Sequence, residues 1–181
     1  MCGAFWIRAD PNSQLYLHLI YSCPKNLSSY LMIFNNLNLL ESFALVCDAD
    51  DKTAEEEFER LSKIFNDMNT EEPIPGINLV FPDDINSFSN RTPKIGVFVF
   101  PNNRDIGRLE GLFLSCVKNK PGMECVTSLE NPPRITSKAN ALASLSTQYE
   151  TRRGVGGAAG EGIWEFDTAE LNNVKTFIEN L

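Results

Sequence analysis

The sequence predicts an α/β fold, a mostly parallel sheet flanked by helices on both faces, and three observations lead there. The runs ending at Asp48 (FALVC) and spanning residues 94–100 (KIGVFVF) are apolar without alternation. A strand covered on both faces by helices reads in this way. The stretches after them switch to the three-to-four spacing of amphipathic helices. The resulting order, strand, helix, strand, helix, strand, strand, helix, favours parallel pairing through helical crossovers.

Residues 1–14 show no pattern that places them; they suit either a disordered start or a shortened first strand. Residues 15–23 (LYLHLIYSC) are aromatic-rich and alternate, as a strand does. Residues 26–37 bring Leu27, Tyr30, Leu31 and Phe34 to helical spacing. The run over residues 42–48 is the first buried strand. Thr53 then opens a helix whose Ala54, Phe58, Leu61 and Phe65 share one face, with Glu55, Glu56, Glu59 and Lys63 turned elsewhere. Thr53 and Glu56 have capping-box spacing, and acidic residues crowd the positive end of the helix dipole.

Residues 71–76 read as a Pro-rich loop, 77–81 as a short strand and 83–93 as a polar loop. The second buried strand, 94–100, stops at Pro101-Asn102-Asn103. A helix is expected over 105–118, with Ile106, Leu109, Leu112, Phe113 and Cys116 inward, and another over 136–149. A basic, Gly-rich loop at 152–162 leads to Asp167, expected to cap a last helix with Leu171, Val174, Phe177, Ile178 and Leu181 inward. With 181 residues, no repeat and no long linker, one domain over 1–181 is the expectation.

Composition narrows the function classes. No apolar run approaches the roughly 20 residues of a membrane helix, and the first residues lack the pattern of a secretory signal. A formal charge of −8 argues against a general nucleic-acid-binding surface. It leaves room for an enzyme that meets a phosphate backbone through a bound cation. Five cysteines without a CxxC pair argue against disulfides and for a cytoplasmic protein. Cys47 and Cys116 read as small core residues. The one histidine, His18, makes His-based zinc sites and Ser-His-Asp chemistry improbable.

Chemistry in open α/β sheets gathers beyond the carboxyl ends of the strands. There the sequence places Asp48-Ala49-Asp50-Asp51. If Asp48 and Asp50 continue the strand, their side chains project to the same side. Three carboxylates this close repel one another, and a bound cation relieves the repulsion. Hard oxygen donors suit Mg²⁺, held through one or two carboxylates with waters retained. The alternative is a solvated strand-end turn that helps to cap the next helix. Asn102 or Asn103 at the end of the second buried strand is positioned for the same crevice, although Asn there is ordinarily a turn residue. The segment RRGVGGAAG offers backbone N–H groups to an anion, yet it matches neither the P-loop nor GxGxxG and reads as a flexible loop.

Taken together, VCDADDKTAEEEFERL, KIGVFVFPNNRDIGRLEGLFLSCV, SKANALASL and GIWEFDTAELNNVKTFIENL resemble a family of uncharacterised, mainly prokaryotic TOPRIM-like proteins, from about residue 43 to the end. The resemblance implies a compact sheet that holds Mg²⁺ for phosphoryl transfer, as in topoisomerases, primases and OLD-type nucleases. It assigns Asp48 and Asp50 as metal ligands, with Asp51 beside them, and nucleic acid as the substrate met through the ion. Glu110 belongs to the family's own LE motif, and Lys138 stands roughly where OLD-type nucleases carry a functional lysine. Such sites also use a glutamate from a strand upstream of the DxD. Here the only glutamate before Asp48 is Glu41, too close to belong to a separate strand, so the glutamate-bearing strand is missing. Two other readings compete: a non-catalytic TOPRIM-like module that binds metal, nucleotide or protein, and a haloacid-dehalogenase-like phosphatase. The latter would want Thr or Val where Lys52 stands.

Overall fold

A computed structural model describes residues 3–9, 40–71, 78–116, 119 and 167–181. Its elements are β1 (Gly3–Ala9), β2 (Leu40–Asp48), α1 (Ala54–Glu71), β3 (Lys94–Phe100), α2 (Leu109–Cys116), a 3-10 turn (Ala169–Leu171) and α3 (Asn172–Asn180). They belong to two compact units: Met1–Gly107 with Val174–Leu181, and Arg108–Asn173. The strand expected at 15–23, the helices at 26–37 and 136–149 and the loop at 152–162 lie outside the described residues, as do His18 and Lys138.

In the first unit β2 is the middle strand. β3 pairs with it in parallel from Ser42↔Lys94 to Asp48↔Phe100, and β1 pairs antiparallel on the other side. The described part of the fold is therefore α/β, its sheet made of one parallel pair, β2–β3, and an antiparallel strand on the other side of β2. The strand at Gly3–Ala9 falls where the sequence shows no pattern. Its apolar residues are consecutive rather than alternating, and its register shifts between Arg8 and Ala9. It carries no glutamate.

Strands β2 and β3 are buried as their composition predicts: residues 42–47 and 95–100 are all buried. Alternation divides them between two faces. Phe43, Leu45 and Cys47 join Ile95, Val97 and Val99 in a core closed by Ala54, Leu61 and Phe65 of α1. The capping box forms: Thr53 N–H donates to Glu56 Oε2 at 2.9 Å, and Glu56 N–H donates to Thr53 Oγ1 at 3.2 Å.

No strand forms over residues 78–82. Leu79 and Phe81 fill the core instead, with the Phe81 ring 5.1 Å from Phe58 and 5.2 Å from Phe65. Asn69 of α1 donates a hydrogen bond to the Leu79 carbonyl at 3.0 Å, which anchors this segment to the helix rather than to a ladder.

On the other face of the sheet, Phe177 of α3 lies 5.2 Å from Phe98 and stacks on Phe88 at 5.4 Å. Helices thus meet both faces. Gly96 permits this approach, since a Cβ there would stand 2.6 Å from Phe88 Cε1 and 2.9 Å from Phe177 Cε2. Gly96→Ala is expected to cost about 1–3 kcal/mol through overpacking, read as a lower urea midpoint at unchanged slope. Lys94 Nζ donates to the Asn180 carbonyl at 2.5 Å, placing a cation at the negative end of α3. Phe177 takes the docking position, so Ile178 turns outward at 39 % exposure rather than inward as its spacing suggests.

Two helix starts differ from expectation. Residues 105–108 form a loop, because Asn102 Oδ1 accepts the N–H groups of Arg104 (3.2 Å) and Asp105 (3.0 Å). Ile106 is consequently 62 % exposed, not inward. In the second unit α2 begins at Leu109 and buries Leu112 and Cys116. The cap position falls on Thr168 rather than on Asp167. The chain enters the last helix through the 3-10 turn after Thr168, which makes no side-chain cap bond but donates through Oγ1 to Cys116 Sγ at 3.4 Å. Among the described residues, no helix is long and apolar enough to cross a membrane.

Candidate functional site

Asp48 is the last residue of β2, and Asp50 and Asp51 follow in the turn after it, next to the end of β3. The last ladder step is Asp48↔Phe100, and Ala49 N–H then donates to the Phe100 carbonyl at 3.0 Å. Asp48 is half-buried and, by alternation from Cys47, belongs to the sheet face opposite α1. There the chain leaves the strand. Asp50 adopts φ +59°, a left-handed conformation that Asp and Asn tolerate best after Gly. Its N–H donates to the Gly107 carbonyl at 2.8 Å, and Lys52 N–H closes the turn on the Ala49 carbonyl at 3.1 Å. The expectation that Asp48 and Asp50 share one side of a continuing strand is therefore corrected, because the strand's period ends at Asp48. Asp50 is half-buried and Asp51 exposed.

The loop after β3 braces this turn. Gly107 has φ +144°, and a Cβ there would meet Pro101 Cδ at 3.3 Å, so glycine suits the position that bonds Asp50. Asn103 is 7 % exposed with φ +64°. Its Oδ1 accepts Val99 N–H at 2.6 Å, and its own N–H donates to the Val99 carbonyl at 2.8 Å. Asn103 thus finishes β3, and Asn102 orders the following loop; both side chains are engaged in turn structure. Glu110 lies on α2 in the second unit.

Beneath the acidic turn lies a carboxylate that the sequence reading passed over. Glu57, in the first turn of α1, is 2 % exposed. Arg60 Nε donates to its Oε2 at 2.8 Å and Arg60 Nη2 pairs with its Oε1, while Lys52 Nζ stands 3.7 Å from Oε2. The signal was present: position 57 is three residues after Ala54 and four before Leu61, on the apolar stripe, with Arg60 at i+3. A buried carboxylate needs paired cations, and here two are supplied.

Cys47 occupies the same corner. Burial pushes its thiol pKa far up, and the nearby carboxylates of Glu57, Asp48 and Asp50 add to this while Arg60 opposes it. A thiol held protonated is a core group rather than a nucleophile. Cys47 and Cys116 are both free. The donors offered by the turn itself are hard carboxylate oxygens. Among the described residues, no three His, Cys, Asp or Glu side chains gather closely enough to hold a metal ion by themselves.

No curated protein and no solved structure matches this chain. One family model does, described as "Protein of unknown function (DUF3226)", over residues 20–181. That match takes in β2, β3, the acidic turn between β2 and α1, the Gly107 brace and the C-terminal helix. On that span the chain belongs to the DUF3226 family.

Proposed function

We propose that the Asp48–Asp51 turn binds Mg²⁺ and serves TOPRIM-type phosphodiester chemistry, with nucleic acid as substrate. The observation that carries this reading is the position of the carboxylates, at the shared carboxyl end of the parallel pair β2–β3. Asp50 is held there in a left-handed turn by Gly107. The donor set fits the ion: Mg²⁺ prefers carboxylate oxygen, uses one or two carboxylates and keeps its remaining waters. Asp48 and Asp50 would hold the ion, with Asp51 at the solvent edge. The bound ion supplies charge neutralisation at a phosphate. The protein's own part is to keep the two aspartates oriented on a braced turn. A cytoplasmic setting belongs to the same reading, in keeping with free thiols at Cys47 and Cys116.

The test is nicking of DNA and RNA by purified full-length protein with Mg²⁺ or Mn²⁺. Activity is expected and should fall by at least about 100-fold in Asp48→Ala and Asp50→Ala, in keeping with the several kcal/mol a bound metal ion contributes. No metal-dependent cleavage across several substrates would end the nuclease reading. The roles that resemblance gives to Glu110 and Lys138 are tested in the same assay with Glu110→Ala and Lys138→Ala. A second reading, a binding module without turnover, is favoured by the lack of a third ligating side chain among the described residues. Calorimetric Mg²⁺ binding without cleavage would select it.

A further inference from the structure

The end of α3 rests on a place in the sheet that is built without it. Phe88 is carried beside β3 by its own bridge to Gly96. Next to it, Ser89 N–H donates to the Ile95 carbonyl at 2.8 Å, and Ile95 N–H donates to Ser89 Oγ at 2.7 Å. Gly96, lacking a side chain, leaves a floor for two rings, those of Phe88 and Phe177. Phe98, 1 % exposed, continues that floor. Lys94 Nζ extends over the Phe88 ring, 5.0 Å from its centre. Gly96, Phe98, Phe88 and Lys94 thus form a socket whose parts belong to β3 or are bonded to it.

The segment that fills the socket is held differently. Residues Val174–Leu181 belong to the same compact unit as the strands. None of the nine residues of α3 is buried, and Phe177 is only half-buried although its ring is the one that docks. An isolated helix is marginal in water below roughly 12–15 residues, so the order of α3 depends on docking. Its ring contacts are with Phe88 at 5.4 Å and Phe98 at 5.2 Å, and its Asn180 carbonyl accepts from Lys94 Nζ at 2.5 Å. None of these is a rung of the sheet. They can be lost while β2 and β3 stay paired.

We propose that Val174–Leu181 is a strap that releases and re-docks as a unit on this socket, with Lys94 as its latch. Release bares the Phe88 and Phe98 rings where Phe177 lay on them and leaves the core between α1 and the sheet intact. Lys94 keeps its place over Phe88 in the open state, ready to accept the helix end again.

The test is residue-resolved amide hydrogen exchange on the full chain in its native state. Amides of Val174–Leu181 should exchange through a common opening, at least about 100-fold faster than those of β2 and β3, as a sub-global unit does. Phe65→Ala lies in the core that the open state retains. It should therefore speed exchange in β2 and β3 by at least about 100-fold and leave the strap within about twofold of wild type. If Phe65→Ala fails to fold, Ile95→Val serves on the same core, with about two- to tenfold in the strands and the same constancy in the strap.

The latch is tested by Lys94→Met, which should speed exchange in the strap about two- to fivefold, the scale of a cation at a helix carboxyl end. Lys94→Arg should restore wild-type exchange. A strap that exchanges no faster than β2 and β3, or that follows the core substitution as the strands do, opens only by global unfolding and overturns the proposal. Unchanged strap exchange in Lys94→Met overturns the latch.

Discussion

Phe65→Ala is expected to lower the unfolding free energy by about 3–5 kcal/mol, the range for truncating a buried aromatic side chain. Phe65 has no exposed surface, and its ring lies 5.2 Å from that of Phe81. It sits in the core between α1 and the inner residues of β2 and β3. Truncation removes apolar surface from burial and leaves a cavity. The lining cannot easily collapse into it, because both strands are fixed in a ladder. Chemical denaturation should show a lower midpoint at unchanged slope, and the melting temperature should fall on the order of 10 °C. Phe58→Ala, on the same helix but half-buried, provides the control. An equal loss at both positions would contradict this account of the core.

That core was legible because its two strands are apolar on both faces and its helix carries a capping box. Such signals are local and survive without knowledge of the fold. The strand order within the described sheet was harder to read. Gly3–Ala9 is short and has no alternation, and only pairing with β2 identifies it as a strand. Residues 78–82 failed in the opposite direction. Leu79 and Phe81 have strand spacing, but Asn69 and the rings of Phe58 and Phe65 draw them against α1. Turn chemistry explains the late start of α2, since Asn102 captures the N–H groups of Arg104 and Asp105. Nothing in the helical periodicity of residues 105–118 announces that competition.

The candidate site was legible in position and less so in shape. An apolar strand running into three aspartates marks a strand end in any α/β sheet. Whether the strand continues through Asp50 depends on Gly107, more than fifty residues later in the chain, whose carbonyl accepts the Asp50 N–H. That bond is long-range and cannot be read from local pattern. Glu57 was hidden for a related reason. Among four charged residues at the start of a helix, a carboxylate is normally solvated. Only its place on the stripe between Ala54 and Leu61, with Arg60 one turn on, separates it from Glu55 and Glu56.

Glu57→Ala should therefore behave unlike any neighbouring glutamate. Glu55→Ala and Glu56→Ala change exposed side chains, and the second also removes half of the capping box. Neither approaches the cost of breaking a buried ion pair, about 3–5 kcal/mol when the abandoned charge stays buried. Here the abandoned cations retain some access to water, with Arg60 24 % and Lys52 44 % exposed. The expected loss for Glu57→Ala is accordingly about 2–3 kcal/mol, between the buried and exposed limits. Arg60→Ala reverses the asymmetry: the carboxylate left behind is 2 % exposed and, among the described residues, keeps only the Lys52 cation, at 3.7 Å. It should cost at least as much as Glu57→Ala, about 3 kcal/mol. The double variant removes both halves of the fork, so its cost should fall short of the sum of the singles by about 1–3 kcal/mol, the size of coupling found between directly contacting residues. Additive losses would show that Glu57 and Arg60 act independently, and the ionic triad would then not be what secures α1 beneath the acidic turn.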